Sequence, residues 1–179
     1  MKTEYIFAEQ LKLMMSEMSL DDISVSLLCK RCHVKRQTFY YHYHDIYDLL
    51  TVVFLNEKIE RISRVHNPQE MVVCIFNYYL KNQAFFDATL MSAGKDLFES
   101  FINNNCQAVF SRLIHENDLD KTISLAQRKN MARLFAYAYS NMITFYLLNN
   151  KVKTIEGLLK QFEFLGDNFV RDIIRKQGK

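Results

Sequence analysis

The chain has 179 residues, 49% of them hydrophobic and 24% charged, which is the balance of a globular protein and excludes a disordered chain. Only four Gly and one Pro punctuate it, so long helices with short joints are expected and a turn-rich β fold is not. A net charge of +3 is too small to announce nucleic acid by itself.

The opening MKTEYIFAEQ reads as no signal peptide, because Glu4 and Glu9 interrupt any apolar core. The longest largely apolar run, residues 134–148, is too short for a bilayer and holds Ser140, Asn141 and Thr144. A cytoplasmic protein with reduced thiols and no membrane partner is the expectation.

Along residues 4–18, Ile6, Phe7, Leu11, Met14, Met15 and Met18 recur at helical spacing. SLDD (19–22) breaks that helix, and Ser24 is placed to N-cap a second, short one over VSLLCKRC. Val25, Leu28 and Cys32 share its inner face in this phase, with Cys29 beside it. HVK (33–35) is a tight joint and RQTFYYH (36–42) a third short helix. Asp45, with Asp48 three residues on, caps a long fourth helix whose stripe is Leu49, Leu50, Val53 and Phe54, and after a turn Ile59 and Ile62.

HNPQE (66–70) is the clearest joint, with Asn67 as N-cap, Pro68 at the first helical position and Glu70 at the third. Beyond it helical patterns cover about 69–84, 85–92, 95–116, 120–149 and 153–177. The reading is all-α, about nine helices: an N-terminal domain over 1–50, a connecting helix 4 over 51–66, and a second domain over 67–179.

Three helices in about 40 residues, with a three- to four-residue joint between the last two, match a helix-turn-helix. Phe39 fills the core from the third helix, while Arg36, Gln37, Tyr40 and Tyr41 fall on the opposite surface. Arg bonds a guanine edge bidentately and Gln an adenine edge. Thr38, the tyrosine hydroxyls, Lys30, Arg31 and Lys35 suit phosphate oxygens. The positive charge is a local strip: residues 1–60 hold seven Lys and Arg against nine Asp and Glu.

Residues from about 5 to 55 resemble the N-terminal domain of the TetR/AcrR family of bacterial transcriptional regulators. The carriers are Ile23-Ser24-Val25 and the run LLCKRCHVKRQTFYYHYHDIYDLL. They supply Val34, Thr38, Phe39, Tyr40, His42, Asp45, Leu49 and Leu50 of the family's Ala-x-x-Ala-Gly-Val-Ser-x-x-Thr-Phe-Tyr-x-His-Phe pattern and the Leu-Leu that follows. The resemblance implies a ligand-responsive repressor that binds a palindromic double-stranded operator as a homodimer, paired through its last two helices. It implies a DNA-binding set of Ser24, Lys35, Arg36, Gln37, Thr38, Tyr40, Tyr41 and His42, and a C-terminal bundle that senses an effector. The wording KRQTFYYHYHD also resembles regulators of dihydroxyacetone kinase operons, which act with a protein coactivator. A small-molecule or protein effector therefore both stand as readings, as does a helical interaction protein without DNA binding.

Departures from the pattern are local. Cys29 and Cys32 stand at small-residue sites, His33 at the turn Gly, Lys35 at a capping Ser, and Ile46 at a frequent phosphate-binding Lys whose place Tyr47 or His44 would take. His42 has two readings, a phosphate contact or a side chain satisfied by the helix's own carbonyls. CKRCH spells the c-type haem attachment pattern, but neither an export signal nor an axial ligand accompanies it. A zinc site lacks a second half at finger spacing, and the plain reading makes both cysteines small hydrophobes. No metal or cofactor is expected.

In the second half, aromatics such as Phe76, Tyr78, Phe86, Phe110, Tyr139 and Phe145 read as core, some of them lining an effector cavity by resemblance. Leu134, Tyr137, Ala138, Ile143 and Leu147 on one helix, and Leu158, Leu159, Phe162, Leu165, Phe169 and Ile173 on the next, form the broad apolar surfaces assigned to dimerisation. No nucleophile–His order and no phosphate-binding Gly loop is present, so no enzyme is read.

Overall fold

The computed structural model describes residues 3–118, 123–149, 154–163 and 169–177. Every regular element among them is helical: α1 (Thr3–Met15), α2 (Val25–Arg31), α3 (Arg36–His42), α4 (Ile46–Asn56), α5 (Pro68–Lys81), α6 (Gln83–Leu90), α7 (Lys95–Asn117), α8 (Leu125–Leu148), α9 (Ile155–Lys160) and α10 (Phe169–Gln177), with short 3-10 turns at Leu20–Asp22 and Ile62–Arg64. The all-α reading is met, with ten α-helices described where about nine were expected.

Three expected helices end elsewhere. The fourth stops at Asn56 and does not run on through Ile59 and Ile62: Glu57 leaves the helix with extended backbone (φ −65°, ψ 137°), and Arg61 further on is left-handed (φ 64°). The expected helix over 120–149 begins only at Leu125, where Ser124 and Gln127 bond each other's backbone N–H in a capping box. The pattern over 153–177 is carried by two described helices, α9 and α10; residues 164–168, and with them Leu165, lie outside the described residues.

The chain divides into two compact units. One comprises residues 1–58 with 82–101, the other 59–81 with 102–179. In the first, α1 packs against α2, α4 and α6, and α2 against α3. Phe7, Leu11, Met14 and Met15 form the buried stripe of α1 at i, i+4, i+7 and i+8. Phe54 of α4 sits 5.7 Å from the rings of both Phe85 and Phe101, and Phe86 lies 5.2 Å from Phe98, at the separations aromatic pairs prefer. Gly94 serves close packing there: a Cβ at this position would lie 2.8 Å from a methyl carbon of Leu50. Lys12 forms an ion pair with Glu57 and places its ammonium 5.3 Å from the Phe85 ring.

In the second unit α5 buries Met71, Val72, Ile75, Phe76 and Tyr79. Residues 102–117 of α7 add Cys106, Val109, Phe110 and Leu113, and α8 adds Ala132, Ala136, Tyr139 and Ile143. Tyr139 stacks on Phe162 at 4.8 Å and meets Phe110 edge-on at 5.0 Å. The buried Asp118 carboxylate accepts from Arg128 Nε at 2.8 Å and lies 2.7 Å from a terminal guanidinium nitrogen, so the buried charge is compensated.

Candidate nucleic-acid interface

The candidate interface is built on α2, α3 and the joint between them. Ser24 is the N-cap of α2, its hydroxyl accepting from Leu27 N–H at 3.2 Å. At the other end the chain closes the helix with a pair of backbone bonds. His33 N–H donates to Lys30 C=O (3.3 Å) and Val34 N–H to Cys29 C=O (3.0 Å), the two bonds of a Schellman motif. That motif needs a left-handed residue at its centre, and His33 takes the part with φ 55°. His visits this region more readily than most non-Gly residues, which gives the physical account of a His where a turn Gly is usual.

Helix α3 then starts at Arg36. Lys35 occupies its N-cap position with extended backbone and no side-chain cap, as a Lys must, since its ammonium has nothing to accept with. What fixes α3 is Phe39, fully buried, with its ring 5.3 Å from Phe7 and 5.5 Å from Tyr43. With Phe39 inward, Lys35, Arg36, Gln37, Tyr40 and Tyr41 are exposed and Thr38 is half-buried. Tyr41 is the most open aromatic among the described residues, at 85% exposure. Arg36 does not hang free: a terminal guanidinium nitrogen donates to the Tyr40 hydroxyl at 3.2 Å, and the guanidinium carbon lies 5.7 Å from that ring's centre. The bond to Tyr40 pushes the Arg36 pKa up from a value already high enough to keep any arginine cationic.

His42, like Thr38, is less open than the rest of the set. It is half-buried at the end of α3, with Nδ1 3.4 Å from the Glu4 carboxylate and its ring edge-on to Tyr41 at 4.9 Å. Tyr47, a candidate substitute for a phosphate-binding Lys, donates its hydroxyl to Asp21 at 2.8 Å, and this bond leads the rise in its pKa. Arg31 is paired with Glu17 at 2.6 Å, which leaves Lys30, Lys35 and Arg36 as the strip's cations without a carboxylate partner among the described residues. Pairs such as Glu4–His42 and Asp21–Tyr47 join residues 38 and 26 apart, so no local pattern could announce them.

The two cysteines exchange places relative to the sequence reading. Cys29 is buried and Cys32 only half-buried. Helix α2 ends at Arg31 and Cys32 is its C-cap, so the stripe extrapolated from Val25 runs past the last helical residue. Burial raises the Cys29 thiol pKa against the opposing pull of Arg36, and burial with the neighbouring Cys29 pushes Cys32 up to about 11. Neither thiol has the lowered pKa of an activated, nucleophilic cysteine.

An all-helical chain with a helix-turn-helix in its first 50 residues and a separate helical half belongs to the class of transcriptional regulators, and comparison with known proteins agrees. Residues 66–168, more than half of the chain, match the TetR-type family described as transcriptional regulator C-terminal region. The chain belongs to that family of TetR-type transcriptional regulators. It is 26% identical over 169 residues to the HTH-type dhaKLM operon transcriptional activator DhaS of Lactococcus lactis subsp. lactis, covering 88% of each chain. A solved structure titled dihydroxyacetone kinase operon activator DhaS superposes with a TM-score of 0.63 over 98% of this chain and 95% of that one; at 21% identity it speaks for the fold. No helix among the described residues is long and apolar enough to cross a membrane.

Proposed function

We propose that the protein binds a palindromic double-stranded DNA operator as a homodimer, with α3 in the major groove. Arg36 and Gln37 read base edges, and Ser24, Lys35, Thr38, Tyr40, Tyr41 and His42 hold the phosphate backbone. The observation that carries this reading is the two-sidedness of α3, where one fully buried Phe39 turns Arg36, Gln37, Tyr40 and Tyr41 to solvent. Residues 1–50 then act as the DNA-binding domain, 51–66 as the connection, and 67–179 as the effector and dimerisation domain, in the cytoplasm.

Dimerisation through α8 and the helices after it is supported by exposed apolar side chains on α8. Leu134 (64% exposed), Tyr137 (53%) and Phe145 (49%) lie along one side, whereas Ile143 and Leu147 are already buried within the chain. Two α3 helices about 34–36 Å apart would meet successive turns of one DNA face.

The test is operator selection with the purified chain, followed by affinity at several salt concentrations. Arg36→Ala is expected to cost about 1–3 kcal/mol and relax one operator position. Unchanged affinity and unchanged sequence preference for that variant would remove Arg36 from the reading role. A salt-independent affinity would favour a helical interaction protein, since phosphate contacts release counterions.

On the sign of regulation, the family resemblance implies repression. A second reading is an activator controlled by a protein partner; its activating sign is supported by a relative, matched over 88% of the chain, that is an activator by name. Transcription of the adjacent operon after deletion separates them: it rises for a repressor and falls for an activator.

A further inference from the structure

Outside the helix-turn-helix, the second unit holds an open cleft of about 700 Å3 between the segment after α4 and one face of α5. That volume lies within the range of small-molecule sites. Of the aromatics expected to line an effector cavity, only Tyr78 borders this one; Phe76, Phe110 and Tyr139 are buried in packing instead. Val65, Val73 and Tyr78 supply its apolar wall.

The charges around it do not balance locally. Glu60 is paired with Lys81 at 3.7 Å. The Glu70 carboxylate is held by the start of α5, accepting from His66 N–H at 2.7 Å and from the Asn67 side-chain amide at 3.2 Å. Arg61 and Arg64 remain, and among the described residues neither guanidinium has a carboxylate partner. Arg61 is also one of two non-glycine residues with positive φ among the described residues, a conformation kept only where the surroundings fix it. Arg61 and Cys74 both line the cleft; burial raises the Cys74 thiol pKa, and the charge of Arg61 opposes that rise. Cys74 itself points its thiol at the Glu60 carbonyl, 3.0 Å away, so the segment and α5 are tied across the cleft floor.

We infer that this cleft binds a small organic anion, its phosphate or carboxylate head between Arg61 and Arg64 and its apolar body against Val65, Val73 and Tyr78. Guanidinium forks suit both head groups, and the wall admits a ring or short chain. As an effector site it rests on the operator-binding reading above, so the test contains no DNA and the two can fail separately.

The experiment measures alkylation of Cys74 in the full chain, followed by mass spectrometry of its peptide, with phenyl phosphate, benzoate or neutral benzyl alcohol as probe. An anion at ten times its Kd should slow Cys74 alkylation about tenfold, since only about a tenth of the sites remain free. Protection by one anion alone supports the site and identifies its head group. Arg61→Gln combined with Arg64→Gln should weaken anion binding about tenfold or more, whereas Arg64→Lys, which keeps the charge, should stay within a few-fold. The proposal is overturned if neither anion protects Cys74, if benzyl alcohol protects equally, or if the double variant, folded by circular dichroism, is protected like the parent.

Discussion

Two helix starts ten residues apart are built in opposite ways. Helix α4 begins on Asp45, whose carboxylate accepts from Asp48 N–H at 2.8 Å, while Asp48 in turn accepts from His44 N–H at 3.0 Å. Helix α3 begins on Lys35, which caps nothing, after a turn held by a left-handed His33. Two acidic side chains would stabilise the start of α3 as they do α4, but they would place negative charge where phosphate must approach. The first turn of α4 adds Ile46 to the buried face; α3 opens on two exposed residues, Arg36 and Gln37. At α4 a carboxylate caps the helix; at α3, where DNA is proposed to approach, the helix end is bare and the helix is held from beneath, through Phe39.

The largest expected effect tests that last clause. Phe39→Ala removes the fully buried ring that contacts Phe7 and Tyr43, and should lower stability by about 3–5 kcal/mol in urea unfolding. A loss below about 1 kcal/mol, the scale of one cap, would mean that α3 is not held from beneath. Next comes the capped start. Asp45→Ala should cost about 1 kcal/mol, and Asp45→Asn, which still accepts, only a few tenths. Equal losses for the two would show that the charge near the dipole matters more than the hydrogen bond.

How far these features were visible in sequence follows the range of the forces behind them. The caps at Ser24, Asp45 and Asn67 were legible because acceptor and amide lie within three residues. The bare cap at Lys35 and the strained turn at His33 were legible for the same reason. The candidate reading face followed from the single phase of a seven-residue helix around Phe39. The end of α4 was not legible: Glu57 turns extended straight after Asn56 with neither Gly nor Pro to mark the place, and nothing announced the left-handed Arg61 further on, so the fourth helix was drawn too long. The exchange of Cys29 and Cys32 is the same error at smaller scale, a phase carried one residue beyond the helix. Nor could periodicity say that residues 82–101 pack with the first 58, because any apolar stripe offers itself to every other. The cleft at Arg61 and Arg64 was invisible for that reason too.

A third substitution makes α3 resemble α4. Lys35→Ser supplies an acceptor to Thr38 N–H, which now bonds only the Lys35 carbonyl at 3.0 Å. Stability should rise by up to about 1 kcal/mol. Operator affinity should fall, with the salt dependence shallower by about one counterion, if Lys35 meets a phosphate. The opposite signs are the point. A variant that gains stability and keeps its full salt dependence would show that the bare cap has no role in binding, and would leave the contrast between the two helix starts without a functional cause.

His33→Gly is the smallest effect and separates the turn from the cap. A left-handed L-residue costs about 1–2 kcal/mol, and glycine's larger unfolded-state entropy offsets about 0.5–1 of the relief. A net gain of about 0.5 kcal/mol is therefore expected. His33 is exposed, so operator affinity should not change, and His33→Ala, still an L-residue at φ 55°, should gain nothing. If glycine instead lowers stability, the imidazole itself supports the joint, and the turn would have to be counted with Phe39 among the things that hold α3.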